Sequence, residues 1–236
     1  MFAERSLELV TSLSLDAVHL PKGVQVLDPL RGPNGREVQR IVREFHQRYL
    51  RGDRPRVLML GINPGRLGAG STGLCFTDTK RCESDLGIPV NGFRTHEPSS
   101  DFFYRVVRAA GGAAIFHRSV HVQAICPLGF TRTGPKGTPV NLNYYDDRAL
   151  QEAITPFVTQ WLERLCATGL RTDVVFCIGS GKNLAFLEAL NAVHQFFGRI
   201  EALEHPRSIM QYRAAQVDAY VTKYVDRLKA AGALQE

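Results

Sequence analysis

The stretch that most constrains the fold of this chain is residues 57–76, VLMLGINPGRLGAGSTGLCF. Its first four residues are apolar and uncharged, which predicts a strand buried on both faces of a sheet. Glycines and a proline follow at once, so the strand must end there and the backbone can approach a ligand closely. Because open α/β sheets bind ligands beyond the carboxyl ends of their strands, Asn63 is the first candidate functional residue. A tight structural turn explains the segment equally well.

Strand patterns recur along the chain and alternate with helical ones. Apolar residues at helical spacing predict helices over residues 3–13, 36–50, 102–107, 150–165, 184–190 and 217–228. Apolar runs predict strands over residues 57–60, 120–128, 173–178 and 199–204. The alternation predicts an α/β fold, a three-layer αβα sandwich around a central, mostly parallel four-stranded sheet, in one domain over residues 1–236.

The remaining segments are rich in glycine, proline and polar residues. Residues 64–100 and 129–143 are predicted to be long loops, and the residues between the first helix and residue 35 an irregular lead-in. Ser99 and Ser100 are expected to cap the helix that follows them. Pro156 predicts a kink or a late start of its helix.

Parallel strands bring the loops after their carboxyl ends to one edge of the sheet. The loop after the strand at 57–60 and the loop after the strand at 199–204 are therefore expected to bring Asn63 and His205 together. Pro206 restricts the backbone beside His205 and could direct its ring into the crevice. A core histidine paired with backbone groups is the alternative interpretation.

Composition limits the partner and the compartment. Lys and Arg number 29 against 23 Asp and Glu, a net charge of +6, which favours an anionic partner. The five cysteines show no C-x-x-C spacing, which argues against a zinc or iron–sulfur site and for a reducing compartment. No apolar run approaches a membrane span and no leader pattern opens the chain, so we expect a soluble, unexported protein.

Several common catalytic motifs are missing. The segment 178–183, IGSGKN, is similar to a phosphate-binding P-loop, but Phe176 stands at the position of the leading glycine and Asn183 at that of the final Ser or Thr. The chain contains neither G-x-S-x-G nor H-E-x-x-H. Nucleoside triphosphatases and the hydrolases that carry those motifs are therefore disfavoured.

The segments GINPG and TGLCF, followed much later by His205-Pro206, resemble the two active-site motifs of uracil-DNA glycosylases. The specific resemblance is to the single-strand-selective monofunctional branch, whose first motif aligns without a gap onto residues 61–76. Residues 126–128, CPL, and 174–181 match a further strand end and a glycine turn of that family. The resemblance spans about residues 55–210, and two motifs in order on a parallel-sheet pattern make it specific.

The resemblance implies a role for each matched residue. Asn63 would position the attacking water, and His205 would hydrogen-bond the base's O2 as negative charge develops there. Phe76 would stack on the base flipped out of the duplex. The pocket for this base would be formed by Gly61, Ile62, Pro64, Gly65, Phe76, Gln123 and Ala124.

Two departures from the family pattern leave roles open. Ala124 stands where the family has the asparagine that reads the pyrimidine edge, so Gln123, Asn141 or Asn143 could substitute, or recognition could be looser. Arg207 stands where the family has a serine, and Arg207, Gln211 and Arg213 are candidates to enter the duplex. The residues expected to contact DNA are Arg66, Lys182, Arg207, Ser208, Gln211 and Arg213.

The resemblance thus implies a divergent, monofunctional DNA glycosylase that removes uracil and 5-substituted uracils such as 5-hydroxymethyluracil in base excision repair. We expect no cofactor and no metal, single- and double-stranded DNA as the partner, a monomer, and a cytoplasmic (bacterial nucleoid) or nuclear location. No lysine lies in the motifs to form a Schiff base, so lyase activity is not expected. A non-catalytic nucleotide or nucleic-acid binder that keeps the fold is the alternative.

Gly65 carries a separate expectation about substrate range. In the family, the absence of a side chain at this position leaves room beside C5 of the base, and 5-substituted bases are then expected to enter. Gly65→Tyr would in that case suppress 5-substituted bases far more than uracil. If glycine is needed only for its backbone shape, both substrates would be lost together.

Overall fold

The computed structural model describes residues 1–15 and 18–234. Its strands are β1 (Val24–Leu27), β2 (Val57–Gly61), β3 (Val120–Ala124), β4 (Gly129–Thr133), β5 (Pro139–Leu142), β6 (Val175–Ile178) and β7 (Ile200–Leu203). Its helices are α1 (Phe2–Thr11), α2 (Gly35–Tyr49), α3 (Ala69–Thr72), α4 (Thr79–Ser84), α5 (Pro98–Ala109), α6 (Ala113–Ser119), α7 (Arg148–Cys166), α8 (Lys182–His194), α9 (Pro206–Tyr212) and α10 (Val217–Ala230).

The central sheet has four parallel strands in the order β3-β2-β6-β7. All five residues of β2 are buried, as its uncharged sequence predicts for a strand covered on both faces. The helices cover the sheet and bury side chains such as Phe103, Trp161 and Leu187 against it. The predicted α/β sandwich with a four-stranded parallel sheet is therefore confirmed.

The prediction of a polar loop over residues 129–143 is wrong. This segment forms the hairpin of β4 and β5, and β1 pairs with β4 to complete a separate antiparallel sheet in the order β1-β4-β5. Part of this sheet faces solvent, so its strands carry polar residues and lack the apolar run of a buried strand. The same pairing corrects the prediction of an irregular lead-in before residue 35.

The long loop predicted over residues 64–100 is also wrong in part, because α3 and α4 lie within it. Ser99 and Ser100 do not cap α5: Glu97 occupies the N-cap position, Pro98 opens the helix, and the hydroxyl of Ser100 accepts a hydrogen bond from the backbone N–H of Asp78. Pro98 suits the first turn because its missing N–H would be unpaired there.

Other element boundaries differ from the predictions. Helix α7 begins at Arg148 and includes Pro156, so the late start is wrong. Strand β3 ends at Ala124, four residues before the predicted end, although the N–H groups of Ile125 and Cys126 still bond to the carbonyls of Gly61 and Ile62. Helix α9, directly after His205, was not predicted. Across the described ranges, every helix is too short or too polar to cross a bilayer.

Candidate active site

A cavity of about 290 Å³ opens at the carboxyl ends of β2, β3 and β7. All the residues predicted to act in catalysis or to form the base pocket line it: Gly61, Ile62, Asn63, Pro64, Gly65, Phe76, Gln123, Ala124 and His205. Other lining residues are Ala69, Cys75, Glu97, Ser99, Asn141, Asn143, Tyr145, Arg207, Ser208, Gln211 and Tyr212. The sheet edge thus brings together side chains that are far apart in the sequence: Asn63 and His205 are 142 positions apart.

Asn63 is held by the backbone that follows β5. Its Nδ2 donates to the carbonyl of Leu142 at 3.3 Å, and its Oδ1 accepts from the N–H of Tyr144 at 3.2 Å. These two bonds fix which end of the amide is oxygen and leave Oδ1 one further lone pair. The antiparallel hairpin that sequence analysis missed therefore orients the amide, and the free lone pair can accept a hydrogen bond from a water molecule.

His205 caps α9 and presents one nitrogen to the cavity. Its Nδ1 accepts a hydrogen bond from the N–H of Arg207 at 3.2 Å, so the neutral ring carries its proton on Nε2. Burial, and secondarily the charge of Arg207, lowers the pKa of His205 to about 4. At neutral pH the ring is therefore an uncharged donor that can stabilise a developing anion but cannot supply a full positive charge.

Phe76 forms an aromatic wall of the cavity. Its backbone φ is 51°, in the left-handed region that aromatic residues rarely adopt, and such strain is concentrated at functional sites. The ring stacks on Phe103 with centroids 5.0 Å apart and lies 5.7 Å from the ring of His205. A Cβ atom on Gly61 would lie 2.9 Å from Cζ of Phe76, so this position of the ring requires glycine.

Gly65 is surrounded by polar groups. A Cβ atom there would lie 3.0 Å from Oε1 of Glu97 and 3.3 Å from Nδ2 of Asn141. Gly65 does not have a positive φ, so a left-handed backbone is not the reason for the glycine. The space beside it, which sequence analysis assigned to substituents of a base, adjoins the carboxyl group of Glu97.

The three amides proposed to replace the base-reading asparagine have intramolecular partners. Nε2 of Gln123 lies 3.4 Å from Nε2 of His121, and Oε1 of Gln123 accepts a weak hydrogen bond from the thiol of Cys75. Asn141 accepts from the N–H of Arg66 at 3.1 Å, and Asn143 donates to Asp146 at 2.9 Å. Ala124 offers no polar side chain, and its carbonyl accepts from the indole of Trp161.

Glu97 was missed by sequence analysis, and its environment is unusual for a carboxyl group. Burial, and secondarily the negative charge of Asp78, raises its pKa to about 7, while Arg207 opposes the shift. The only signal in the sequence is the following Pro98, which marks a helix start and so places Glu97 at the N-cap. That signal locates the residue on the chain but does not place it beside Gly65.

Half of the residues expected to contact DNA line the cavity and half do not. Arg207, Ser208 and Gln211 lie along it on α9, together with Tyr212, whose side chain is exposed. The other three lie outside it: Arg66 and Lys182 are exposed, and the guanidinium of Arg213 contacts Tyr220. None of the described residues forms a cluster of three or more His, Cys, Asp or Glu side chains suited to a metal ion.

The chain is similar to known proteins in both sequence and structure. A sequence model of the Uracil DNA glycosylase superfamily matches residues 49–229. The crystal structure of wild-type SMUG2 from Pedobacter heparinus superimposes with a TM-score of 0.94 at 40% sequence identity, covering 98% of each chain. No curated protein matches the chain. The matched ranges include both Asn63 and His205.

Proposed function

The chain belongs to the uracil DNA glycosylase superfamily, and we propose that it is a monofunctional glycosylase that hydrolyses the N-glycosidic bond of uracil and of 5-substituted uracils in DNA. The observation that carries the proposal is the meeting of an oriented amide, a neutral imidazole donor and an aromatic wall around one cavity. A single pyrimidine base that has left the duplex fits the cavity, which has a volume of about 290 Å³.

In the proposed reaction, a water oxygen bonds to C1′ of the deoxyribose while the C1′–N1 bond breaks. The electron pair of that bond stays on the base, and the proton of the water passes to the base or to solvent. Oδ1 of Asn63 orients the water but is too weak a base to take its proton. The Nε2–H of His205 donates to the base oxygen on which charge accumulates, and Phe76 stacks on the ring.

The lining residues also support hydrolysis without strand cleavage. Among the described residues that line the cavity, Arg207 is the only Lys or Arg, and a guanidinium does not form a Schiff base. A positively charged chain attracts the phosphate backbone, which offsets part of the cost of extruding the base. We therefore infer that DNA carrying a damaged pyrimidine is the partner. One chain supplies both Asn63 and His205 to the cavity, which supports action as a monomer.

The proposal is tested by incubating the protein with a uracil-containing oligonucleotide, treating the product with alkali, and resolving it on a denaturing gel. We expect an alkali-dependent break at the uracil position, and no covalent adduct after borohydride treatment. Intact DNA after incubation with folded, DNA-binding protein would instead favour the non-catalytic binder. An adduct trapped by borohydride would contradict the monofunctional mechanism.

A further inference from the structure

We propose that Glu97 contacts the extruded base directly and reads its imide edge, the adjacent C=O and N–H groups of a uracil ring. This inference rests on the proposed function, since it names the residue that recognises the base in the same cavity. It assigns the reading of that edge to a carboxyl group, since Ala124 offers no polar side chain.

The position of the carboxyl group is the first argument. Glu97 lines the cavity, and its two oxygens lie against the chain at Gly65 and Gly68: a Cβ atom would come within 3.0 Å of Oε1 at the first glycine and 2.0 Å of Oε2 at the second. Only glycines leave room for the carboxyl group there. The backbone N–H of Glu97 is anchored to Oδ2 of Asp78 at 2.8 Å, which fixes where the side chain starts.

The carboxyl group of Glu97 also has hydrogen-bonding capacity to spare. Among the described residues, none donates a hydrogen bond to its oxygens, whereas Gln123, Asn141 and Asn143 are each paired through at least one end of the amide. The carboxyl group is half-buried, so pairing with a base in the cavity would replace hydrogen bonds that it otherwise makes to solvent. Glu97 is thus a carboxyl group in the cavity with which an extruded base could form hydrogen bonds.

The donor and acceptor of a protonated carboxyl group also complement those of the base. A protonated carboxyl group offers an O–H donor beside a C=O acceptor, and the imide edge of uracil offers an acceptor beside a donor. Two parallel hydrogen bonds can therefore form. The raised pKa, about 7, favours this protonated form below neutrality. A carboxylate would place a negative charge beside a base that becomes anionic as it leaves.

The test compares binding of DNA that carries either uracil or 3-methyluracil, in both cases on a 2′-fluoroarabinose that resists cleavage. Methylation removes the imide N–H. We expect wild-type protein to bind the uracil DNA roughly 10- to 100-fold more tightly than the methylated DNA, and Glu97→Ala to lose most of that preference. Glu97→Gln, which keeps a donor and an acceptor, should retain it. Glu188→Gln, at an exposed site on α8, is the matched control.

The pH dependence of binding provides a second readout. The ionisable or charged groups that face or act on Glu97 are Asp78, Arg207, His205, Cys75 and Tyr145, and Asp78 is itself bonded to Arg81 and His96. Burial holds the pKa of Cys75 and that of Tyr145 at about 12, and His205 titrates near 4. As the pH rises from 6 to 8, the wild type should therefore lose preference for uracil over 3-methyluracil. In Glu97→Gln this preference should not change with pH.

The outcomes separate this inference from the proposed function. An unchanged preference for uracil over 3-methyluracil in Glu97→Ala would overturn the inference even if cleavage is normal. Equal binding of the two DNAs by the wild type would overturn it as well. A protein that binds with the expected preference but never cleaves uracil DNA would overturn the proposed function and leave the role of Glu97 standing.

Discussion

Replacing Gly61 by alanine tests whether the position of the Phe76 ring matters for activity. The new Cβ atom would lie 2.9 Å from Cζ and 3.0 Å from Cε2 of Phe76. Ordinary contacts between carbon atoms are about 3.5–4.0 Å, so the ring or the strand must move by roughly 0.6 Å or more. The ring is stacked on Phe103, which limits its movement on that side.

A displacement of this size at Phe76, the residue proposed to stack on the base, is expected to reduce the single-turnover rate of uracil excision about 10- to 100-fold, since an error near 1 Å can cost about 100-fold. The stability cost should be that of mild overpacking, about 1–3 kcal/mol, measured by urea unfolding. The rate loss is thus expected to exceed anything explained by unfolded protein.

A double-mutant cycle identifies the cause of the rate loss. In a Phe76→Leu background the smaller side chain removes the contact, so Gly61→Ala should add little to the loss that Phe76→Leu causes alone. A normal rate for the single variant would refute the argument. An equal effect of Gly61→Ala in both backgrounds would show that the ring is not what the new methyl group displaces.

Three further predictions follow from the site and the core. Asn63→Ala and His205→Ala should each lower the single-turnover rate by roughly 100- to 1000-fold without unfolding the protein. The control variants Asn34→Ala and His194→Ala, at exposed sites, should leave the rate unchanged. A near-normal rate in Asn63→Ala or His205→Ala would show that the residue does not have its assigned role. Affinity for DNA, measured by fluorescence anisotropy, should fall at least about 10-fold when salt is raised from 50 to 200 mM, even if the protein neutralises only two phosphates. Binding that does not depend on salt would point to a small-molecule substrate. Burial lowers the pKa of His46 from 6.5 to about 4, so the unfolded chain binds more protons between these values, and His46 should account for about 3 kcal/mol of the stability lost as pH drops through that window. Burial also lowers the pKa values of His117, His121 and His205, so the loss measured by urea unfolding should be less steep in His46→Gln than in the wild type without disappearing.

Much of the fold was predictable because the central strands carry a strong signal. Residues 57–60 are buried on both faces, so their sequence is apolar throughout, and the predicted parallel sheet follows from such runs. The hairpin of β4 and β5 was not predictable in the same way, because it exposes residues such as Arg132 and Val140 and places Gly134 and Gly137 in its turn.

The residues of the candidate site also differ in how far the sequence predicts them. Asn63, Phe76 and His205 lie in motifs, and the structure brings them to one cavity, while their roles remain predictions. Glu97 has no motif, since its importance depends on two glycines some 30 positions away and on the folding of the segment between them. The bonds that orient Asn63 come from the hairpin that sequence analysis took for a loop.

The central claim is that this cavity hydrolyses the bond between uracil and deoxyribose, and the most direct measurement is the release of free uracil. Protein in excess over a uracil-containing oligonucleotide, in buffer with EDTA, should release one equivalent of uracil per strand by mass spectrometry, matched by one alkali-labile site. The Asn63→Ala/His205→Ala double variant should release almost none over the same period. Folded wild-type protein that binds the oligonucleotide and releases no uracil would contradict the account.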